Sequence, residues 1–161
     1  LICIFIYFIP RSVKINHKRL HMKYITIIFL AFFTTQTLAD SFVLEMLNKR
    51  SDGQRMVFSE DIKHVEVGDT ITWLPTTKNH NVHFLAGPES WDMPKPSRIN
   101  KEYSYTFEIP GIYYYQCTPH DSVGMIALVV VGGDTSNIDV IAEAKAVGKG
   151  KKKLKQLLEQ L

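Results

Sequence analysis

The residues best suited to chemistry in this chain are two histidines, a cysteine and a methionine. Cys117, His120 and Met125 lie in the segment Cys-Thr-Pro-His-Asp-Ser-Val-Gly-Met, and His80 lies upstream in Asn-His-Asn-Val. Two imidazoles, one thiolate and a weak axial thioether form the ligand set of a blue copper site. The sulfur ligands suit Cu(I), and the imidazoles also suit Cu(II). These four residues therefore predict a site that holds one copper ion in both oxidation states.

Other chemistries fit the same side chains less well. Structural zinc sites favour four Cys or His ligands, for which Met125 is a poor substitute. A cysteine hydrolase would use Cys117 as its nucleophile, but the nearby His120 supplies no triad geometry by itself. Copper catalysis would need an open coordination position or a second copper cluster, and the sequence has no further His-rich motif. We therefore predict no enzymatic activity. The alternative is a structural zinc-binding or non-redox metal-binding β-sandwich module.

Four of the six histidines are predicted to lie outside the ligand set. His17 and His21 precede the segment that resembles a secretion signal, and His64 alternates within a predicted strand, which favours a surface position. His83 lies only three residues after His80. Odd separations along a strand place side chains on opposite faces, so His80 and His83 are not expected to bind one ion.

Short strands are the elements that must position the ligands. Turn signals such as Asp52-Gly53, Gly68-Asp69 and Pro110-Gly111 separate β-like runs at a spacing that indicates a sandwich or barrel. The predicted strands are Phe42–Leu47, Gln54–Phe58, Ile62–Val67, Thr70–Leu74, His80–Ala86, Glu102–Glu108, Ile112–Gln116 and Met125–Val131. Residues 87–100 contain three prolines and are predicted to form a long irregular connection.

Helical periodicity replaces strand periodicity after Gly132-Gly133. Two apolar stripes follow at helical spacing, namely Ile138, Ile141 and Ala142, and then Leu154, Leu157, Leu158 and Leu161. Ser136 or Asn137 is a possible cap of the first helix, and Gly148 a possible stop. We predict two C-terminal helices within residues 136–161 that pack on the sandwich with their lysines outward.

The N-terminal residues are expected to be absent from the mature protein. Met22-Lys23, the apolar run Tyr24–Phe33 and the small residue Ala39 form the three parts of a secretory signal. The apolar run is too short for a membrane span, which needs about 20 residues. We therefore expect residues 1–21 to be a spurious upstream extension from a misplaced start, residues 22–39 a signal peptide, and residues 40–161 the mature domain.

Removal of residues 1–39 changes both the charge and the cysteine arguments. The remaining chain has 14 basic and 16 acidic residues, so its net charge is −2 instead of +3. Nucleic-acid binding loses its support, since it needs a basic footprint. Lysines cluster near the C-terminus, but a solvated helix face explains them without stable membrane association. Cys3 is lost, and metal ligation would explain an unpaired Cys117 in an oxidising compartment.

The sequence resembles the pseudoazurins, a family of small periplasmic type 1 blue copper proteins with the cupredoxin fold. The resemblance extends from about Asp40 to the C-terminus, and Asn79–Val82, Cys117–His120 and Met125 carry it. Plastocyanins share the Cys-to-Met spacing but lack the C-terminal extension, and amicyanin-like proteins have a shorter His-to-Met gap. The resemblance implies an all-β Greek-key β-sandwich of about eight strands with two C-terminal α-helices.

The resemblance also implies a function. His80, Cys117, His120 and Met125 would bind one type 1 copper ion per monomer and shuttle single electrons in the periplasm. A copper nitrite reductase or another periplasmic reductase would be the acceptor, and a cytochrome c-type protein the donor. The expected protein is a monomer without nucleic-acid partners.

Several neighbouring residues correspond to family features, and two depart from them. The resemblance implies that Asn81 bonds to the Thr118 region and that lysines, here Lys49 and Lys78, surround an apolar docking patch. The expected patch around His120 consists of Met56, Pro119, Val123 and Gly124. Gln116 stands where the family has lysine, and His83 stands where it usually has an acidic residue.

Overall fold

The computed structural model describes residues 38–161 of the chain. The predicted upstream extension and nearly all of the predicted signal peptide lie outside these residues. The described part forms, in chain order, the strands β1 Ser41–Lys49, β2 Arg55–Phe58, β3 Ile62–Val65, β4 Thr70–Leu74, β5 His83–Ala86, β6 Tyr103–Thr106, β7 Gly111–Gln116 and β8 Ile126–Val131, and the helices α1 Ile138–Ala142 and α2 Lys149–Leu158.

The eight strands form two four-stranded sheets, which confirms the predicted sandwich. One sheet has the strand order β2-β1-β4-β6 and the other β3-β8-β7-β5. The pairs β1–β4 and β3–β8 are parallel, and the remaining neighbours are antiparallel. Alternation along β1 buries Leu44 and Met46 in the core between the sheets, while Val43, just before Leu44, is 59% exposed.

The second sheet is covered on both faces, because the two helices pack on its outer side. Every residue of β7 and β8 is buried. Tyr113 and Tyr115 face the core, whereas Ile112 and Tyr114 belong to a second apolar cluster together with the helix residues Ile141, Leu154 and Leu157. This packing confirms that the C-terminal helices lie on the sandwich, but not all of their lysines point outward, because the Lys153 side chain is only 17% exposed. In the described part of the chain, no helix combines the length and apolar character needed to cross a membrane.

Two predicted boundaries were wrong for a physical reason. The predicted strand His80–Ala86 begins only at His83, because the backbone of residues 80–82 bonds to the irregular segment after β5. Gly148 does not stop α1; it is the N-cap of α2, with φ 52°. A Cβ at Gly148 would lie 2.3 Å from the Ser122 carbonyl oxygen, so only glycine allows this close approach. The other predicted strand ends lie within two residues of the observed ones.

A cluster of three charged side chains joins the sandwich to α2. Asp61, just before β3, accepts hydrogen bonds from Arg50 Nη2 at 3.0 Å and from Lys153 Nζ at 2.6 Å. Only 17% of each basic side chain and 22% of the Asp61 side chain are exposed. Burial raises the pKa of Asp61, but the hydrogen bonds from Arg50 and Lys153 outweigh it, so the pKa lies below its ordinary value.

Replacement of Asp61 should destabilise the protein in a pH-dependent way. Asp61→Asn leaves Arg50 and Lys153 without their shared carboxylate, and we expect the free energy of unfolding to fall by about 2 kcal/mol at neutral pH. Because the folded-state pKa is lowered, the contribution is complete above about pH 4 and is lost as the pH falls through the folded-state pKa. Denaturant titrations at several pH values should show the two proteins converging in acid. Asp92→Asn, at an exposed site, should unfold like the wild type.

Candidate metal centre

Three of the four predicted ligands meet at one end of the sandwich. Cys117 follows β7 directly, and His120 ends the short 3-10 turn Thr118–His120. The Cys117 Sγ atom lies 3.6 Å from His80 Nδ1 and 3.4 Å from His120 Nδ1. One ligand atom from each residue therefore falls within 4.8 Å of the others, the separation expected for donors around a single metal ion.

Met125, the fourth predicted ligand, closes the loop that carries Cys117 and His120. The Cys117 N–H donates to the Met125 carbonyl oxygen at 2.9 Å, and the Met125 N–H donates to the His120 carbonyl oxygen at 3.1 Å. The Met125 side chain is completely buried and belongs to the same apolar cluster as Cys117. The tight loop thus brings the thioether residue to the end of the sandwich where the other three ligands lie.

The hydrogen bonds of His80 leave one ring nitrogen free for a metal. His80 Nε2 lies 2.9 Å from Asn48 Oδ1 and 3.1 Å from Thr77 Oγ1. The amide oxygen can only accept, so Nε2 carries the proton and Nδ1 keeps its lone pair toward Cys117. Burial and the nearby His120 lower the pKa of His80 to about 4, so its ring is neutral at neutral pH. Neutral imidazole is the form that binds metals.

The sequence did not predict that Asn48 and Thr77 bond to the His80 ring. Both orient a predicted ligand, yet Asn48 is the penultimate residue of β1 and Thr77 lies in a loop 29 residues further along the chain. Their only sequence signal is a polar type near a strand end, which many surface residues share. Hydrogen bonds of this kind commonly orient metal-bound histidines.

The buried thiol of Cys117 is better suited to binding a metal than to acting as a nucleophile. Burial raises its pKa, although the backbone N–H groups near Asn81 and His120 act in the opposite direction. A cysteine nucleophile needs a lowered pKa and access to substrate. Cys117 is fully buried. A bound cation is what would stabilise the thiolate in this position.

Asn81 joins the two ligand-bearing segments, as the resemblance implied. Its Oδ1 accepts the Thr118 backbone N–H at 2.8 Å, and its Nδ2 donates to Thr118 Oγ1 at 3.2 Å. Asn81 is buried and follows His80, whereas Thr118 follows Cys117. These two hydrogen bonds therefore tie the first ligand to the loop that holds the others.

His120 links the buried centre to the surface. His80 and Cys117 are fully buried, but His120 is only partly buried, and burial lowers its pKa. Pro119 is exposed beside it, and Val123 is 48% exposed.

The predicted patch residue Met56 is partly buried and packs against the core, and Gly124 is buried. Lys49 and Lys78, the lysines expected around the patch, are both exposed.

His83 lies outside the ligand group, although the argument that predicted this was wrong. His80 precedes β5, so strand alternation does not relate the two rings. His83 is partly buried, and its Nδ1 lies 3.4 Å from Thr118 Oγ1. The group of ligand atoms from His80, Cys117 and His120 therefore does not include a nitrogen of His83. His64, by contrast, is exposed as predicted.

The donor set fits copper. One thiol sulfur and two Nδ1 atoms converge in a buried pocket, with a thioether residue in the same loop. Zinc sites rarely use a thioether, whereas two histidines, a cysteine and a weak methionine define the type 1 copper arrangement. The hydrogen bonds of His80 Nε2 to Asn48 and Thr77, and of the Thr118 N–H to Asn81, hold the donors before any metal is bound.

Comparisons with known proteins agree with this geometry. Residues 44–132 match the family described as copper binding proteins of the plastocyanin/azurin family. The pseudoazurin of Paracoccus pantotrophus is 38% identical over 120 residues, covering 73% of this chain and 81% of the relative.

Solved pseudoazurin structures resemble the fold as well as the sequence. One from Sinorhizobium has a TM-score of 0.71 and 35% identity, and covers 75% of this chain and 95% of its own. Another, from Methylobacterium extorquens AM1, has a TM-score of 0.68 and 34% identity, and covers 75% and 98% of the two chains. The chain thus belongs to the plastocyanin/azurin family of copper-binding proteins and, within it, to the pseudoazurins, which are blue copper electron-transfer proteins.

Proposed function

We propose that this protein is an electron carrier, not an enzyme, and that His80, Cys117, His120 and Met125 hold its single copper ion. The observation that carries the proposal is the convergence of the Cys117 sulfur and two imidazole nitrogens within 4.8 Å in a buried, preformed pocket. Copper bound there supplies a one-electron couple between Cu(I) and Cu(II).

The residues around the ligands favour fast electron exchange. Asn81 ties the ligand segments together, and Asn48 fixes the orientation of His80. A held ligand set rearranges little when its charge changes by one, which lowers the barrier to electron transfer. Pro119 lacks an N–H, so it donates no hydrogen bond toward the Cys117 sulfur. The partly exposed His120 edge provides the exit to a partner.

A spectrum and a redox titration of the copper-loaded protein test this proposal. We expect an intense visible band in the oxidised protein that disappears on addition of one electron per molecule and returns on oxidation. The competing possibility, a structural zinc site, predicts a colourless protein that keeps zinc in preference to copper. A colourless copper complex, or a titration that is not reversible, would count against electron transfer.

We further propose that the protein acts in the periplasm after removal of residues 22–39 as a signal peptide, with residues 1–21 as an upstream extension and residues 40–161 as the mature domain. The Asp40 N–H donates to Asp69 Oδ1 at 2.7 Å, and the Asp40 carbonyl oxygen accepts from the Thr70 N–H at 2.9 Å. The sandwich thus engages the chain at the proposed new N-terminus. Mass spectrometry of the periplasmic fraction should find a monomer that begins at Asp40.

The proposed partners are other periplasmic redox proteins. A copper nitrite reductase or a similar reductase would accept electrons, and a cytochrome c-type protein would donate them. The exposed Pro119 and Val123 beside His120 support a small apolar docking patch, and the exposed Lys49 and Lys78 support steering by an acidic partner.

His83→Ala should leave the copper site intact. The His83 ring contacts Thr118 and does not join the group of ligand atoms, so its removal takes no donor from the metal. We expect the visible spectrum of the variant to match that of the wild type in band position and intensity. Disappearance of the visible band would show that His83 is a ligand.

A further inference from the structure

The irregular segment between β5 and β6 holds the residues around His80 in place. Residues 79–82 belong to no strand, so their backbone groups find partners elsewhere. Ser97 exchanges two hydrogen bonds with Val82, since its N–H donates to the Val82 carbonyl oxygen at 2.8 Å and its Oγ accepts the Val82 N–H at 2.9 Å. Asn81 Nδ2 donates to the Ser97 carbonyl oxygen at 3.2 Å.

Asn100 makes the contacts nearest to the ligand. Its Oδ1 accepts the Asn79 backbone N–H at 2.5 Å, and its own N–H donates to the His80 carbonyl oxygen at 2.9 Å. One residue therefore holds the chain on both sides of the His80 Cα atom. No position in the sequence marks this pairing, because Asn79 and Asn100 are separated by 21 residues.

The backbone at Asn79 is in a conformation that needs such support. Asn79 has φ 72° and Asn100 has φ 62°, both in the left-handed region, which is uncommon for residues other than glycine although asparagine adopts it more readily than most. Such conformations persist where the surrounding structure determines them. The Asn79 carbonyl oxygen lies 3.9 Å from Cys117 Sγ, so the conformation of Asn79 decides how this oxygen faces the ligand group.

We propose that Asn100 is a positioning residue of the metal centre. Its side-chain oxygen holds Asn79 in the left-handed conformation and thereby sets the placement of the Asn79 carbonyl oxygen and the His80 imidazole relative to Cys117. This inference rests on the proposed function of the site as a copper centre. Without the side-chain oxygen, the Asn79 peptide unit rotates more freely, and both groups shift relative to the sulfur.

Two substitutions separate the side-chain contact from the backbone contact. Asn100→Gly keeps the left-handed conformation and the N–H bond to His80 but removes Oδ1. Asn100→Asp keeps an oxygen acceptor at the same position. Asn137→Ala is the matched control, because Asn137 Oδ1 and Nδ2 bond to the Ile112 backbone, which belongs to the apolar cluster under the helices and not to the ligand cluster.

Amide exchange in the metal-free protein and the visible spectrum of the copper protein are the two measurements. For Asn100→Gly we expect the Asn79 amide to exchange about tenfold faster. We also expect altered relative intensities of the visible bands and a shifted reduction potential. Asn100→Asp should match the wild type in the Asn79 exchange rate and in the relative band intensities. Asn137→Ala should lower the thermal unfolding midpoint and leave the visible spectrum unchanged.

The outcomes distinguish the inference from the proposed function. An unchanged spectrum and potential in Asn100→Gly, in a blue wild-type background, would overturn the positioning role while the copper centre stands. The positioning role would also be overturned if Asn137→Ala altered the relative band intensities as Asn100→Gly does. It would be overturned as well if the intensities remained altered in Asn100→Asp. A colourless wild-type protein would overturn the proposed function, whereas faster Asn79 exchange in metal-free Asn100→Gly would still support the positioning role.

Discussion

Cys117→Ser should abolish the intense visible colour of the copper protein while the sandwich stays folded. The colour requires a sulfur donor, and the serine hydroxyl is a much poorer ligand for copper in either oxidation state. The imidazole nitrogens of His80 and His120, 3.6 and 3.4 Å from the sulfur, offer hydrogen-bond partners to the new hydroxyl. We therefore expect the metal-free protein to lose only about 1 kcal/mol of unfolding free energy. Visible absorption and denaturant titration measure the two effects.

Ala127→Ser is the control for a buried hydroxyl. Ala127 is fully buried on β8 opposite Tyr115, so the substitution adds a polar group to the core without removing a ligand. This variant should be less stable than the wild type and equally blue. An intense visible band in Cys117→Ser would show that Cys117 is not the thiolate ligand, and the proposed copper site would have to be abandoned.

Val123→Asp should slow electron transfer to a partner reductase at least tenfold, which corresponds to about 1.4 kcal/mol of weakened docking. Val123 is 48% exposed in the loop that carries His120, where a partner must approach closely. A carboxylate at this position must lose water when the surfaces meet, and few acceptors compensate for that loss. The reduction potential should change little, since Val123 is not one of the four predicted copper ligands.

Two comparisons make the docking test specific. Val140→Asp introduces the same charge at a valine that is 54% exposed on α1, and we expect it to leave the rate unchanged. Lys78→Glu should slow association mainly at low salt, because exposed charges separated by more than about 10 Å are screened at 0.1 M ionic strength. Stopped-flow rates across ionic strength distinguish these effects. Equal losses from all three variants, insensitive to salt, would contradict a docking patch beside His120.

The ligand types were accessible from the sequence because they are local and chemically unusual. Cys117, His120 and Met125 share one loop, and no other segment combines a thiol, an imidazole and a thioether at such spacing. The upstream ligand His80 was harder to identify from the sequence, because His83 lies only three residues away. The strand-alternation argument excluded His83 for an incorrect reason, since β5 begins after His80. Periodicity describes regular elements and carries no information about a residue just outside one.

Strand and helix faces were also readable from the sequence, because burial on one side imposes a repeat. Helical spacing identified Leu154 and Leu157, which are buried, and alternation along β1 likewise buries Leu44 and Met46. The glycine at 148 was read as a helix stop, although it begins the next helix. A glycine indicates an unusual backbone conformation, but only the approach of Ser122 shows which element requires it.

Residue types and short periodic patterns were enough to predict the donor set, the β-sandwich with its two helices, and the family. How the donors are held depends on contacts that form only in the folded protein. The proton on His80 Nε2 depends on Asn48, 32 residues away, and the backbone beside His80 depends on Asn100. Single hydrogen bonds between remote loop residues leave no periodic trace along the chain, so only the folded arrangement reveals which polar side chains orient the metal ligands.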